Sequence, residues 1–163
     1  MVEGTLQRLL DGLHEGRDLV DAEYSAFSDL SRNDARTVRE NWPGIPVATR
    51  ATLLERALEL ADVNVDLQFD ALAKASLSDG DPEVRERAVA LLWESGDTDV
   101  AEALARLATD DDGPGVRAAA AGGLQHFVEA FVQDKLPART GDLVVAALRR
   151  ALNDADVDVR AKA

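Results

Sequence analysis

Residues 77–93, LSDGDPEVRERAVALLW, decide how this chain reads, because their Asp, Val-Arg and Ala positions recur twice downstream in one register. The stretch reads as the corner of a helical hairpin. Asp79 and Asp81 offer side-chain oxygens to free helix N–H groups, Pro82 presets the first helical φ, and Val84, Ala88 and Leu91/Leu92 make one apolar face. The later copies are Asp111-Asp112-Gly113-Pro114-Gly115-Val116-Arg117 and Asp154-Ala155-Asp156-Val157-Asp158-Val159-Arg160. In this alignment Asp79, Asp111 and Asp154 share a column, as do Val84, Val116 and Val159, then Arg85, Arg117 and Arg160, and finally Ala88, Ala120 and Ala163. The arginines are spaced by 32 residues (85 to 117) and then by 43 (117 to 160). Periods of this length, each spanning two amphipathic helices, indicate an all-α solenoid.

Working outward, Leu6, Leu9, Leu10 and Leu13 make the stripe of a first helix that Gly16 ends. A second helix is expected over roughly Leu19 to Leu30, carrying Tyr24, Phe27 and Leu30, and a third from Asn33 or Asp34 to Trp42. Pro43, Gly44 and Pro46 form a stop. Helices then follow over Val47 to Ala61 and over about Val65 to Ser78, the latter with Val65, Phe69, Leu72 and Ala73 inward. After the first corner a helix runs to about Glu94. Gly96 and Asp97 turn the chain, and Val100, Leu104, Leu107 and Ala108 line the next helix.

The helix after the second corner is longer, with Val116, Ala120, Leu124, Phe127, Val128 and Phe131 on its stripe. Gly122 and Gly123 lower its propensity by about 1 kcal/mol each and permit close backbone approach or a bend. Pro137 and Gly141 bracket a loop. A helix from about Asp142 to Asn153 presents Leu143, Val144, Ala147, Leu148, Ala151 and Leu152 ahead of the third corner.

Composition agrees with this class. Hydrophobic residues make up 46% of 163 positions but aromatics only 4%, so the core is built from Ala, Leu and Val, which suits closely packed helices. Thirty-one acidic against eighteen basic residues give a net charge of −13, which argues against a nucleic-acid or anionic-membrane partner. The three lysines, Lys74, Lys135 and Lys162, and the excess of Asp over Glu resemble the profile of proteins from extremely salt-loving archaea, so the charge reports habitat more than partner. The absence of cysteine excludes disulfides, a thiolate nucleophile and Cys-ligated metal. Without a basic segment followed by an apolar run at the start, or any apolar run near the roughly 20 residues of a membrane span, a soluble, cytoplasmic protein is expected.

The pattern D-x-D-x-x-V-R-x-x-A, here Asp79 to Ala88, resembles the HEAT repeat, particularly its short variety in phycobilin lyases. Resemblance is clear over about residues 65–163. It implies a right-handed α-solenoid of stacked antiparallel helix pairs, a HEAT/armadillo-like superhelix with second helices on the concave side. It also implies that Asp79, Val84, Arg85, Asp111, Val116, Arg117, Asp154, Val159 and Arg160 form a structural ladder, with Arg85 the partner of its corner's carboxylates. Residues 1–64 depart from the pattern and are expected to be an N-terminal helical cap and a divergent repeat in one continuous solenoid. Within them Asn33, Val38 and Arg39 imitate a corner, with Trp42 where Ala belongs. The last repeat is incomplete, which leaves Leu143, Leu148 and Leu152 under-covered. The expectation is that the natural chain continues or that this uncapped end contacts another molecule.

No chemistry is spelled out. Asp154, Asp156 and Asp158 alternate like the start of a calcium loop, but the sixth position is Val159 rather than Gly and the twelfth lies beyond Ala163, so the pattern fails; helix capping explains these aspartates, and Asp110 to Asp112 similarly. His14 and His126 lack neighbours at ligand spacing, and Trp93 reads as a packing residue. Gly113-Pro114-Gly115 lacks the Lys-Ser/Thr of a phosphate loop, and no serine sits in a nucleophile elbow. No catalytic, cofactor or metal residue is therefore assigned. The expected function is a noncatalytic protein-interaction scaffold with an unidentified protein partner, and Arg87, Glu94, Gln125 and Glu129 on second helices are surface contributors. Two alternatives stand beside it: an enzyme of the lyase or DNA glycosylase type that the resemblance includes, and a helical spacer or dimerisation segment of a larger regulator.

Overall fold

The computed structural model describes residues 3–163, and among them every regular element is a helix. The fold is all-α, of the α-solenoid class. Its elements are α1 (Glu3–His14), a 3-10 turn (Asp21–Phe27), α2 (Arg32–Asn41), a short 3-10 turn (Trp42–Gly44), α3 (Val47–Val63), α4 (Asp70–Ser76), α5 (Pro82–Ala90), α6 (Thr98–Asp110), α7 (Pro114–Val132), α8 (Ala138–Ala151) and α9 (Val157–Lys162). The chain divides into two compact units, Met1–Leu91 and Leu92–Ala163.

In the first unit, α1 buries Leu6, Leu9, Leu10 and Leu13 and packs on the 3-10 turn and on α2. Gly16 closes α1 in the left-handed region, at φ +78°, which an L side chain rarely adopts. Helix α2 packs on α4, α3 on α5, and α4 on α5, so like stacks on like around one hairpin. Arg56 of α3 holds Asp21 through two hydrogen bonds of 2.9 and 2.7 Å, which pushes that carboxyl below its ordinary value. In the second unit α6 packs on α7 and on α8, and α7 packs on α8 and α9. The Val-column residues Val84, Val116 and Val159 are fully buried.

Two expected helices are shorter for one shared reason. The Leu19 to Leu30 segment holds only the Asp21–Phe27 turn, and the helix expected from Val65 starts at Asp70. Between them, Asp29 N–H donates to the Gln68 carbonyl and Gln68 N–H donates to Ser28 Oγ, both at 2.9 Å. These bonds take backbone groups that helix extension would need, so tertiary pairing overrides local propensity. Val65 is consequently 87% exposed rather than inward, while Phe69, Leu72 and Ala73 are buried as expected.

Other boundaries also move. Helix α5 ends at Ala90 rather than near Glu94, and Trp93, on the turn that follows, is 57% exposed instead of packed. Helix α8 begins at Ala138, so Gly141 is a buried helix residue and not a loop glycine. A Cβ at Gly141 would lie 2.0 Å from the Phe131 ring, so this is where the backbone approaches closely. At Gly122 a Cβ would meet only Lys162 Cδ at 3.7 Å, ordinary contact, and α7 runs unbroken to Val132.

Candidate interaction surface and corner network

At each corner the first aspartate closes a two-residue turn and does not cap the helix. Asp79 Oδ1 accepts from Asp81 N–H at 2.9 Å, Asp111 Oδ1 from Gly113 N–H at 2.8 Å, and Asp154 Oδ1 from Asp156 N–H at 2.8 Å. Capping falls to the second aspartate. Asp81 accepts from Glu83 and Val84 N–H, and Asp156 from Asp158 and Val159 N–H. The second corner has Gly113 at that position and no side-chain cap. A carboxylate held this way is satisfied by backbone, which accounts for the calcium-loop look of Asp154, Asp156 and Asp158.

The column arginines grip the carbonyls of their own corner. Arg85 Nη1 donates to the Asp79 and Gly80 carbonyls at 2.8 and 3.2 Å, Arg117 Nη1 to those of Asp111 and Asp112 at 2.9 and 3.4 Å, and Arg160 Nη1 to those of Asp154 and Ala155 at 2.7 and 2.8 Å. Arg85 therefore meets the Asp79 backbone and not its carboxylate. Arg117 also reaches onward: its Nε and Nη2 donate to the two oxygens of Asp154, 37 residues later, at 2.9 and 3.0 Å. That bidentate bond holds the Asp154 carboxyl below its ordinary value and raises Arg117.

The Asp79 carboxylate, with no exposed side-chain surface, is taken by Arg50 Nη1 and by Trp42 Nε1 at 2.7 Å. Arg50 opens α3 as Arg117 opens α7, so it stands in the arginine column, with buried Thr49 in the Val column. Asn33, Val38 and Arg39 only imitate a corner. Arg39 is exposed, and the true corner, Gly44-Ile45-Pro46, carries no aspartate to mark it. Trp42 and Asp79 are buried against each other.

The histidines are engaged by backbone as well. His14 Nε2 lies 2.9 Å from the Asn41 carbonyl and His126 Nε2 2.8 Å from the Ser95 carbonyl. A carbonyl only accepts, so Nε2 carries the proton in both. Among the described residues no group of three or more His, Asp or Glu is placed to hold a metal ion, and no helix is long and apolar enough to cross a membrane.

What remains outward defines the candidate surface. In the second unit, the His126–Ser95 bond holds the turn carrying Trp93 against the C-terminal half of α7, which ends at exposed Val132. Glu94 and Glu129 are exposed nearby in the chain, whereas Gln125 donates to the Lys162 carbonyl at 2.9 Å and so ties α7 to α9. In the first unit Arg87 pairs with Glu83 at 2.7 Å.

Antiparallel helix pairs joined by Asp-marked corners, stacked first helix on first and second on second, define an α-solenoid repeat protein. The family profile of HEAT repeats matches residues 69–163, more than half of the sequence, and the chain belongs to that family. Repeats of this family typically mediate protein–protein interaction. No curated protein and no solved structure matches the chain.

Proposed function

We propose that this protein is a noncatalytic interaction scaffold that binds another protein through the α6–α7 pair of its second unit, with Trp93 as the anchor. The observation that carries this reading is the 57% exposure of Trp93, in a chain whose other tryptophan is buried. A large apolar ring left in water costs solvation and gives the core nothing, and it is the residue type most enriched at interface hot spots. Val132, where α7 ends, is a second exposed apolar side chain of this pair. The carboxylates and arginines of the corners are consumed in holding turns and neighbouring repeats, which supports a ladder role for them rather than a chemical one. We also infer that the leucine-striped α1 caps the stack, and that the protein works in a saline cytoplasm.

The test is affinity capture at high salt with the wild-type chain and with Trp93→Ala as baits. A protein captured stoichiometrically by the wild type should bind the variant at least ~30-fold more weakly, the loss of about 2 kcal/mol that marks a hot spot. Equal capture by both baits, with both folded, would remove Trp93 from the account.

A further inference from the structure

We propose that the cavity between α1 and the Asp21–Phe27 turn, in the first unit, is a binding site for a small aliphatic carboxylate, which Arg8 and Arg17 hold beside an apolar wall. The inference goes beyond the scaffold reading, which concerns the second unit.

The cavity has a volume of about 400 Å³, at the small end of the ~300–1,000 Å³ typical of ligand sites. Arg8 reaches it from α1 and Arg17 from the segment that follows. Arg8 is tied down by neutral oxygens: its Nε donates to the Gly4 carbonyl at 3.0 Å and its Nη2 to Thr5 Oγ1 at 3.5 Å. Its Nη1 meets no acceptor among the described residues. Arg17 is fixed from two sides. Nη1 donates to both oxygens of Glu23, at 3.3 and 3.0 Å, and Nε lies 2.6 Å from where a Cβ on Gly12 would stand. The guanidinium therefore occupies room that exists only because residue 12 is glycine. Its Nη2 meets no acceptor among the described residues.

Among the described residues lining the cavity, Glu23 is the carboxylate that could repel an anion. It is already neutralised by Arg17 and also accepts from Val20 N–H at 3.0 Å. Two guanidinium groups against one engaged carboxylate make a locally positive site in a chain of net charge −13. Leu9 and Ala26, both buried, and Ala22 supply the apolar wall. The free guanidinium N–H groups select a carboxylate or phosphate, and the wall favours a hydrocarbon tail over a fully hydrated ion.

Hexanoate is the probe, titrated into the full chain at constant ionic strength and followed by backbone amide chemical shifts. Shifts should concentrate in residues 4–12 and 17–26 and report one site with a Kd on the order of 1 mM, which a ligand of about eight non-hydrogen atoms can supply. Hexanamide keeps the tail without the charge, and inorganic phosphate keeps the charge without the tail. Each should bind at least ~10-fold more weakly. Arg8→Gln should weaken hexanoate by about 10-fold. Gly12→Ala should do the same with no charge removed, because its methyl group displaces Arg17, while the higher helix propensity of alanine keeps the chain folded. Unchanged affinity in either variant overturns the proposal. So does hexanamide or phosphate binding as tightly as hexanoate, or the lack of any saturable shift at ten times the expected Kd. None of these measurements involves Trp93 or a captured protein, so this proposal and the scaffold reading can fail separately.

Discussion

Arg50 and Asp79, 29 residues apart, form an ion pair in which the carboxylate has no exposed surface and the arginine is 12% exposed. Trp42 completes the site from α2's end of the first unit by donating its indole N–H to the same carboxylate oxygen. The pair ties the start of α3 to the corner before α5, which is what allows these helices to stack.

Removing the carboxylate leaves a buried guanidinium and a buried indole N–H without their acceptor. Asp79→Ala should therefore destabilise the protein by about 3–5 kcal/mol, whereas Trp42→Phe, which removes one neutral donor and keeps most of the ring volume, should cost about 1–2 kcal/mol. Chemical denaturation of the three proteins checks the order. Equal small losses would mean that the cluster holds little.

Gly141 and Gly122 make a matched pair of opposite sign. Gly141→Ala drives a methyl group into the Phe131 ring and should cost about 1–3 kcal/mol, with Phe131→Leu recovering part of the loss in the double variant. Gly122→Ala has room and should stabilise α7 by up to ~1 kcal/mol. Melting midpoints of the single and double variants measure both.

The Arg117–Asp154 bond gives acid sensitivity a direction. Asp154 has its folded-state pKa lowered by the Arg117 hydrogen bonds, so the bond contributes fully above the ordinary carboxylate value of 3.8 and is lost as pH falls through the lower folded value. The difference in stability between wild type and Arg117→Met should be constant from pH 7 to 5 and shrink as pH falls below ~3.8. A difference that stays flat down to pH 2 would contradict the assignment.

Salt dependence tests the inference about habitat. With a net charge of −13, self-repulsion is strong in dilute buffer and nearly screened in molar salt, where the Debye length is about 3 Å. The melting midpoint should rise steadily from millimolar to molar KCl. A flat profile removes the saline reading.

How much was legible depended on whether a residue's role was local or tertiary. The three corners were readable because turn, cap and Val-Arg pair lie within a dozen residues, and they led to the all-α solenoid and the HEAT family. The fourth corner was hidden because Gly44-Ile45-Pro46 lacks the aspartate, and only its arginine, reaching Asp79 across 29 residues, marks it. The Leu19 to Leu30 and Val65 to Ser78 helices were overextended because the bonds that stop them join Ser28 and Asp29 to Gln68. Trp93 reads as packing from the sequence because the apolar pattern predicts a helix reaching Glu94. With α5 ending at Ala90 the ring turns outward.

The most direct test of the central claim is hydrogen exchange of the chain alone and with its captured protein partner. Protection on binding should concentrate in residues 91–97 and in the C-terminal half of α7, leaving the Asp79 and Asp154 corners unchanged. Protection confined to the corners, or absent around Trp93, would contradict the account.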